Sequence, residues 1–376
     1  MKRCLRNEDR ISHLPEALLV HILSMLSTKD VVATSALSKQ WKSLWKIVPK
    51  IKLELIGMSI GIAYARHLRE LVLDVRSEIG NFTFPSSLYN CKTLETLILR
   101  NWVLLDVPSP VCLKSLRTLH LDDVNYKDDA SVVNLLSGCP NLENLVVYRG
   151  DQQDVKLFII AVPSLQRLTI YDGYNWYGVP DEDIGGYVIN APCLKYLKIQ
   201  GFLGLQFRLI ENALELVDAD IINVSITIDQ KLLESLTSVK RLSLTSSPLE
   251  LSTHKVEWWN LLLVMLDSSP KLQVLKLISE KYCVEKHMAC EKWNQRKNVS
   301  ECLIRHLETF VWNGYTKQLE KEKEVAKYIL RNANHLKRAT ISVRDLNSDE
   351  RLEMLEELES VARASKSSCK LLLLSE

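Results

Sequence analysis

The chain has 376 residues, 47% hydrophobic and 25% charged, an ordinary balance for a folded protein with room for about two or three domains. Its formal charge of +2 supplies no strong field that would select nucleic acid or an anionic membrane. The nine cysteines are odd in number and scattered, which argues against a disulfide framework and for a reducing compartment, cytoplasmic and/or nuclear.

In chain order, Lys2, Arg3 and Arg6 precede an apolar stretch that begins at Leu14. Glu8, Asp9, Glu16 and His21 interrupt it and no small-residue cleavage site follows, so it does not read as a signal peptide. Wound as a helix, "LPEALLVHILSML" (14–26) spreads its leucines, Ile22 and Met25 over an arc of roughly 180°, whereas one buried stripe needs about 100°. Two more short helices are predicted, "KDVVATSAL" capped by Ser27 or Thr28 and "KQWKSLWKI" capped by Ser38. They add Val31, Val32, Leu37, Trp41, Leu44 and Trp45. A head this small cannot cover all of that surface alone, so another protein is expected to cover the excess. Leu44 and Trp45, nearest the junction, are candidates for docking on the next domain instead.

The strand-like "IKLELI" (51–56) is followed by "GMSIG" (57–61), which fits the Gly-x-Ser-x-Gly elbow of hydrolases around Ser59. An esterase would also need a doubly wound sheet and a later acid and histidine, and the remainder of the chain follows another plan. The hexad Leu-x-x-Leu-x-Leu recurs eleven times: "LRELVL" (68–73), "LETLIL" (94–99), "LRTLHL" (116–121), "LENLVV" (142–147), "LQRLTI" (165–170), "LKYLKI" (194–199), "LELVDA" (214–219), "VKRLSL" (239–244), "LQVLKL" (272–277), "LETFVW" (307–312) and "LKRATI" (336–341). The fourth and sixth positions alternate with polar ones at period two, the pattern of a short strand with one buried face. No single unit can bury that face, but stacked units can, with the strands forming a parallel wall. Pro140, Pro163, Pro192 and Pro270 each stop the preceding arm two residues before a hexad. Spacings of 20 to 35 residues are too uneven for a regular horseshoe, so the return arms are expected to vary. "DDASVVNLLSG" and "KVEWWNLLLVMLDSS" read as helices and "YDGYNWYGVPDEDIGG" as a loop.

Hexad positions three and five point away from the core and line the wall. Among them Arg167, Tyr196, Lys198, Arg241 and Lys276 form a slightly basic middle and are the candidate contacts for a bound protein. "CVEKHMAC" (283–290) offers Cys283, His287 and Cys290, but a structural zinc site needs a fourth ligand in paired spacing, so no metal is expected. No phosphate-cradling glycine loop is present, and no cofactor is implied. The far end reads as a cap. Val325, Tyr328 and Ile329 share one helical face, Leu352, Leu355, Leu358 and Ala362 share another, and "CKLLLL" (369–374) reads as a terminal buried strand.

"DRISHLPEALLVHILSMLSTKDVVATSALSKQWKSLWKIVPKIKLE" (9–54) resembles the F-box of plant F-box/leucine-rich-repeat proteins in its Leu14-Pro15 start, its Ile22-Leu23 pair and its closing Trp-x-x-x-Trp. "VSECLIRHLETFVWNGY", "EKEVAKYILRNANHLKRATIS" and "ERLEMLEELESVARASKSSCKLLL" resemble the FBD domain that ends many of them; "GCPNLE" and "APCLKYLKI" look like the repeats between. The resemblance implies an α/β architecture: a three-helix F-box (1–50), an irregular leucine-rich-repeat solenoid with a parallel wall (51–298) and a C-terminal α/β cap (299–376). It also implies a non-catalytic substrate receptor of an SCF-type ubiquitin ligase. The F-box would hold a Skp-type adaptor, and through it a cullin, by Leu14, Pro15, Leu18, Ile22, Val31 and Trp41; the repeats would hold an unidentified target protein. The alternative is a repeat module with a vestigial F-box. Only residues 52–67 separate the F-box from the first hexad, fewer than in similar proteins, so opening repeats are expected to be missing.

Overall fold

The structure is a computed structural model. It describes residues 11, 14–26, 34, 41–44, 50–55, 68–75, 80–150, 155–172, 186–201, 206–211, 213–222, 230–246, 258–279, 298–315, 320–343 and 348–375. Most of the second predicted helix, Val31 among it, lies outside the described residues, as do Trp45 of the third, Ser59 with its elbow, the body of the 171–186 loop and the Cys283–His287–Cys290 set. The chain forms two compact units, Met1–Leu165 and Gln166–Glu376.

The first unit opens with helices α1 (Glu16–Ser24) and α2 (Trp41–Leu44). Leu19, Leu23, Trp41 and Leu44 close a small core, with Leu14 and Val20 packed against it. Leu44 is thus spent inside the head. Next come β1 (Lys50–Leu55), β2 (Glu70–Val75), β3 (Phe82–Thr83), β4 (Thr96–Asn101), β5 (Val103–Leu105), β6 (Thr118–Asp122), β7 (Asn125–Tyr126), α3 (Asp129–Ser137), β8 (Asn144–Arg149) and β9 (Leu157–Ala161). Strands β1, β2, β4, β6 and β8 lie side by side and parallel, and β3, β5 and β7 make a second, smaller parallel set. Ahead of the first hexad, β1 joins the wall by pairing Ile51 with Leu71 and Leu53 with Leu73.

The return arms have identifiable stops. Asp128 caps α3 by accepting the Ser131 amide at 2.8 Å. Gly138 follows the end of that helix, where a Cβ would meet Val111 Cγ1 at 2.4 Å.

The second unit continues with β10 (Arg167–Asp172), β11 (Gly186–Asn190), β12 (Tyr196–Gln200), β13 (Gln206–Glu211), β14 (Asp218–Ile222), α4 (Gln230–Ser235), β15 (Arg241–Ser246), α5 (Trp258–Ser268), β16 (Val274–Ser279), α6 (Glu301–Arg305), β17 (Thr309–Tyr315), α7 (Glu320–Asn332), β18 (Arg338–Val343), α8 (Ser348–Ala364) and β19 (Lys370–Ser375). Its parallel sheet runs β10-β12-β14-β15-β16-β17-β18-β19.

The same local device starts most strands. The first hexad residue donates its amide to the carbonyl three residues back, as in Leu165 to Val162, Leu194 to Ala191 and Leu272 to Ser269. The next two amides then share one carbonyl of the preceding strand, as Lys195 and Tyr196 do with Gln166. At the seventh copy this device corrects the sequence reading. Leu216 donates to Ala213, and Val217 and Asp218 share Lys195. The hexad is therefore 216–221, with Leu216, Ala219 and Ile221 in the core, and not 214–219; Leu214 is 78% exposed. Alanine in the fourth column hid the true register, while Leu214 and Val217 offered a rival one.

Hexad position two carries alternating charge along the rim. Arg69 meets Glu95 at 3.6 Å, Arg117 pairs with Glu143, and Lys337 meets Glu308 at 2.9 Å.

At the far end α7 buries Val325, Tyr328 and Ile329, as its sequence pattern predicts. On α8 the buried face is Met354, Leu358 and Ala362, whereas Leu352, expected on that face, is 57% exposed. β19 also departs from expectation. Leu373 is covered, but Leu372 and Leu374 are 42% and 49% exposed. A continuous leucine run suggests burial on both faces. This strand ends the sheet order, and α8 lies against it.

Candidate functional site

Two surfaces stand out, one in each unit. On α1 the wide apolar arc is split along its length. One edge, Leu19 and Leu23, is fully buried in the head core. The other edge carries Leu18 at 50% exposure, Ile22 at 39% and Leu26 at 42%, with Met25 and Ile11 more open still. Pro15 is exposed and Leu14 half-buried at the same end. Residues 15, 18, 22 and 25/26 follow the three-to-four spacing of a single stripe. Each large side chain of that stripe would gain about 1.5–3 kcal/mol on full burial, enough for a handful of them to seat a partner. Of the six residues expected at this contact, Pro15, Leu18 and Ile22 are exposed, Leu14 is half-buried against the head core, and Val31 lies outside the described residues. Trp41 is 4% exposed and packs with Leu19, Leu23 and Leu44 beneath the stripe. Its place is in support of the surface.

In the second unit the strand register assembles the other surface. One row reads Arg167, Tyr196, Asp218, Arg241; the next reads Thr169, Lys198, Asp220, Ser243, Lys276. All five predicted wall residues are therefore brought onto one face. The Arg167 guanidinium lies 4.2 Å from the centre of the Tyr196 ring, and the Lys198 ammonium 5.2 Å from that of Tyr171. Arg241 pairs with Asp218 at 2.9 Å. Burial pushes the Asp220 carboxyl above its ordinary value, while Lys198, Ser243 and Lys276 pull the other way. Burial likewise raises the Tyr196 phenol. Asp218 and Asp220 were missed in the sequence because the seventh hexad was read two residues early. Ala213-x-x-Leu216 repeats the turn of Ala191-x-x-Leu194 and would have placed them.

The corresponding face of the first unit is of different character. Its middle row is Val72, Ile98, His120 and Val146, flanked by Asp74, Arg100, Asp122 and Tyr148. Burial and the charge of Arg100 push the His120 imidazole below its ordinary range. Among the described residues no three side chains gather as metal ligands, and no helix is long and apolar enough to cross a membrane.

This arrangement, a helical head with an unsatisfied apolar stripe followed by stacked leucine-rich strands, defines an F-box protein with leucine-rich repeats. Residues 11–53 match the F-box domain model, 60–219 the repeat model of FBD-associated F-box protein At5g56370, and 295–341 the FBD model. Similar proteins come from Arabidopsis thaliana. F-box/FBD/LRR-repeat protein At3g26920 is 48% identical over 442 aligned positions covering 100% of both chains. FBD-associated F-box protein At3g52670 is 50% identical over 96% of each, and F-box/LRR-repeat protein At3g26922 is 58% identical over 67% of this chain and 96% of its own. The chain belongs to the plant F-box/FBD/LRR-repeat family. The 442 positions exceed the 376 residues here, so At3g26920 carries segments this chain lacks. Domain makeup and family names point to a substrate-adaptor role rather than to catalysis.

Proposed function

We propose that the chain is the substrate-recognition subunit of an SCF-type ubiquitin ligase, acting in the cytoplasm or nucleus. F-box domains generally bind Skp1-type adaptors. The exposed stripe of Pro15, Leu18 and Ile22, with Leu14 at its edge, takes the adaptor and through it a cullin. The outward face of the repeats takes the protein to be ubiquitinated, and the chain supplies no catalytic residue of its own.

The observation that carries this reading is the division of α1. Its buried edge already completes the head core, so the exposed edge serves no purpose inside the head. Leaving Leu18, Ile22 and Met25 in water costs solubility unless a partner covers them.

The test is capture of a Skp-type adaptor by the full chain, compared with Leu18→Asp plus Ile22→Asp. Both side chains are substantially exposed, so the variant keeps the head folded and loses the adaptor. If the wild-type chain captures no adaptor, the ligase reading fails and the repeat module with a vestigial F-box takes its place. Equal capture by the variant would move the contact away from α1.

A further inference from the structure

We infer that the target docks on the second unit's wall through an extended segment bearing several separated carboxylates, which contact Arg167, Lys198 and Lys276. This rests on the reading above that the repeat face holds the target, and it adds the chemistry of what is held.

The cations of this wall differ in whether a neighbouring carboxylate already satisfies them. Arg241 is neutralised by Asp218 at 2.9 Å. Arg167 and Lys198 rest on the rings of Tyr196 and Tyr171, contacts that hold a cation in place without neutralising it. Among the described residues, Arg167, Lys198 and Lys276 take part in no ion pair. A guanidinium stacked on a ring keeps its edge donors free for a carboxylate. Arg338 and Lys370 extend the first row in the same sign.

The spacing of the cations decides between one anionic group and several. Lys198 stands one strand over and two residues along from Arg167, roughly 8 Å, and Lys276 three strands beyond Lys198, roughly 14 Å. A single phosphate needs donors that converge, and these diverge. Side chains on one face of an extended peptide recur about every 7 Å, so carboxylates near positions one, three and seven would meet the three cations in turn. Asp220 lies between Lys198 and Lys276 in the same row, with one carboxylate oxygen buried and without a hydrogen-bond partner among the described residues. It disfavours a carboxylate at the middle of the segment, so the acidic groups must be separated and not continuous.

The test is fluorescence anisotropy of the full chain with a fluorescein-labelled Glu–Ser decapeptide that carries Glu at positions one, three and seven and Ser elsewhere. Comparators are the Gln–Ser decapeptide and a Gln–Ser decapeptide carrying one phosphoserine. The Glu–Ser probe should bind most tightly and weaken as salt rises. Arg167→Gln with Lys276→Gln should weaken it roughly tenfold. Leu18→Asp with Ile22→Asp, on the head, should leave it unchanged. Equal binding of the Gln–Ser peptide, tighter binding of the single-phosphate peptide, or indifference to the double variant overturns the inference. A photo-crosslinker at Ser243 in plant cells separates the wall's role in holding the target from the chemistry of the segment it holds. Adducts competed by the Glu–Ser peptide support both. Adducts it fails to compete keep the wall as the target site and refute the acidic segment. Absence of adducts, with targets still bound, refutes the wall itself.

Discussion

Exchanging Leu216 and Leu214 separately for alanine measures the register of the seventh repeat. The two residues are identical in type and two positions apart, yet Leu216 has no exposed surface and Leu214 is 78% exposed. Leu216 seats the chain between the Ala213 turn and the pair of amides that share the Lys195 carbonyl. Truncating it removes three buried carbons from a layer whose neighbours, Leu194 and Val239, are themselves fully enclosed. Leu→Ala at such sites costs about 2–5 kcal/mol, and we expect about 3 because flanking strands limit collapse into the gap. At Leu214 the change should stay within about 0.5 kcal/mol. Urea unfolding of the full chain reads both, with Trp312, buried in β17, reporting on the second unit. With a slope near ~3 kcal/mol per molar, the Leu216→Ala midpoint should fall by about 1 M and the Leu214→Ala midpoint should barely move. A Leu214→Ala loss equal to or larger than that of Leu216→Ala would refute the register, and with it the placing of Asp218 and Asp220 on the wall.

Two further outcomes follow from the charges and thiols. Burial raises the Glu357 carboxyl, but hydrogen bonds from Lys323 and Lys327, each at 2.7 Å, outweigh it and hold the group below its usual range. The pairing therefore stabilises the α7–α8 cap above the ordinary glutamate range and is lost as pH falls through the lowered folded value; Glu357→Gln should remove this part of the acid sensitivity in a pH-dependent melt, and an unchanged pH profile would contradict it. Burial pushes the thiols of Cys139 and Cys302 up to about 12, whereas Cys193 is exposed. Iodoacetamide at neutral pH should label Cys193 first and leave the other two unmodified until unfolding, as read by mass spectrometry.

Most of the fold was legible because apolar residues, leucine foremost, filled the three columns of the repeats and proline marked several turns. The reading slipped where a small residue stood in a column, as Ala219 does, and where an apolar run exceeded its cover, as at Leu372 and Leu374. A leucine run states that a strand can be buried on both faces; it does not state that a neighbour exists to bury the second. The opening strand β1 was seen as strand-like and not counted as part of the wall, although Ile51 and Leu53 stand in its fourth and sixth columns. In the head, a 180° apolar arc announced an excess of surface but not how it divides. Trp41 shows the cost of that ambiguity: its type suits an interface, and its packing against Leu19 and Leu23 uses it as a floor.

The alternating rim pairs have a bearing on how such a chain avoids assembling wrongly. Were β2 to skip its neighbour and zip onto β6, Arg69 would face Arg117; were β4 to skip to β8, Glu95 would face Glu143. Like charges set opposite one another penalise both slips, though every core leucine would still find an apolar partner. The hydrophobic columns are nearly interchangeable from one repeat to the next, so this parity of sign gives neighbouring coils a means of distinguishing their proper order while the protein is still folding.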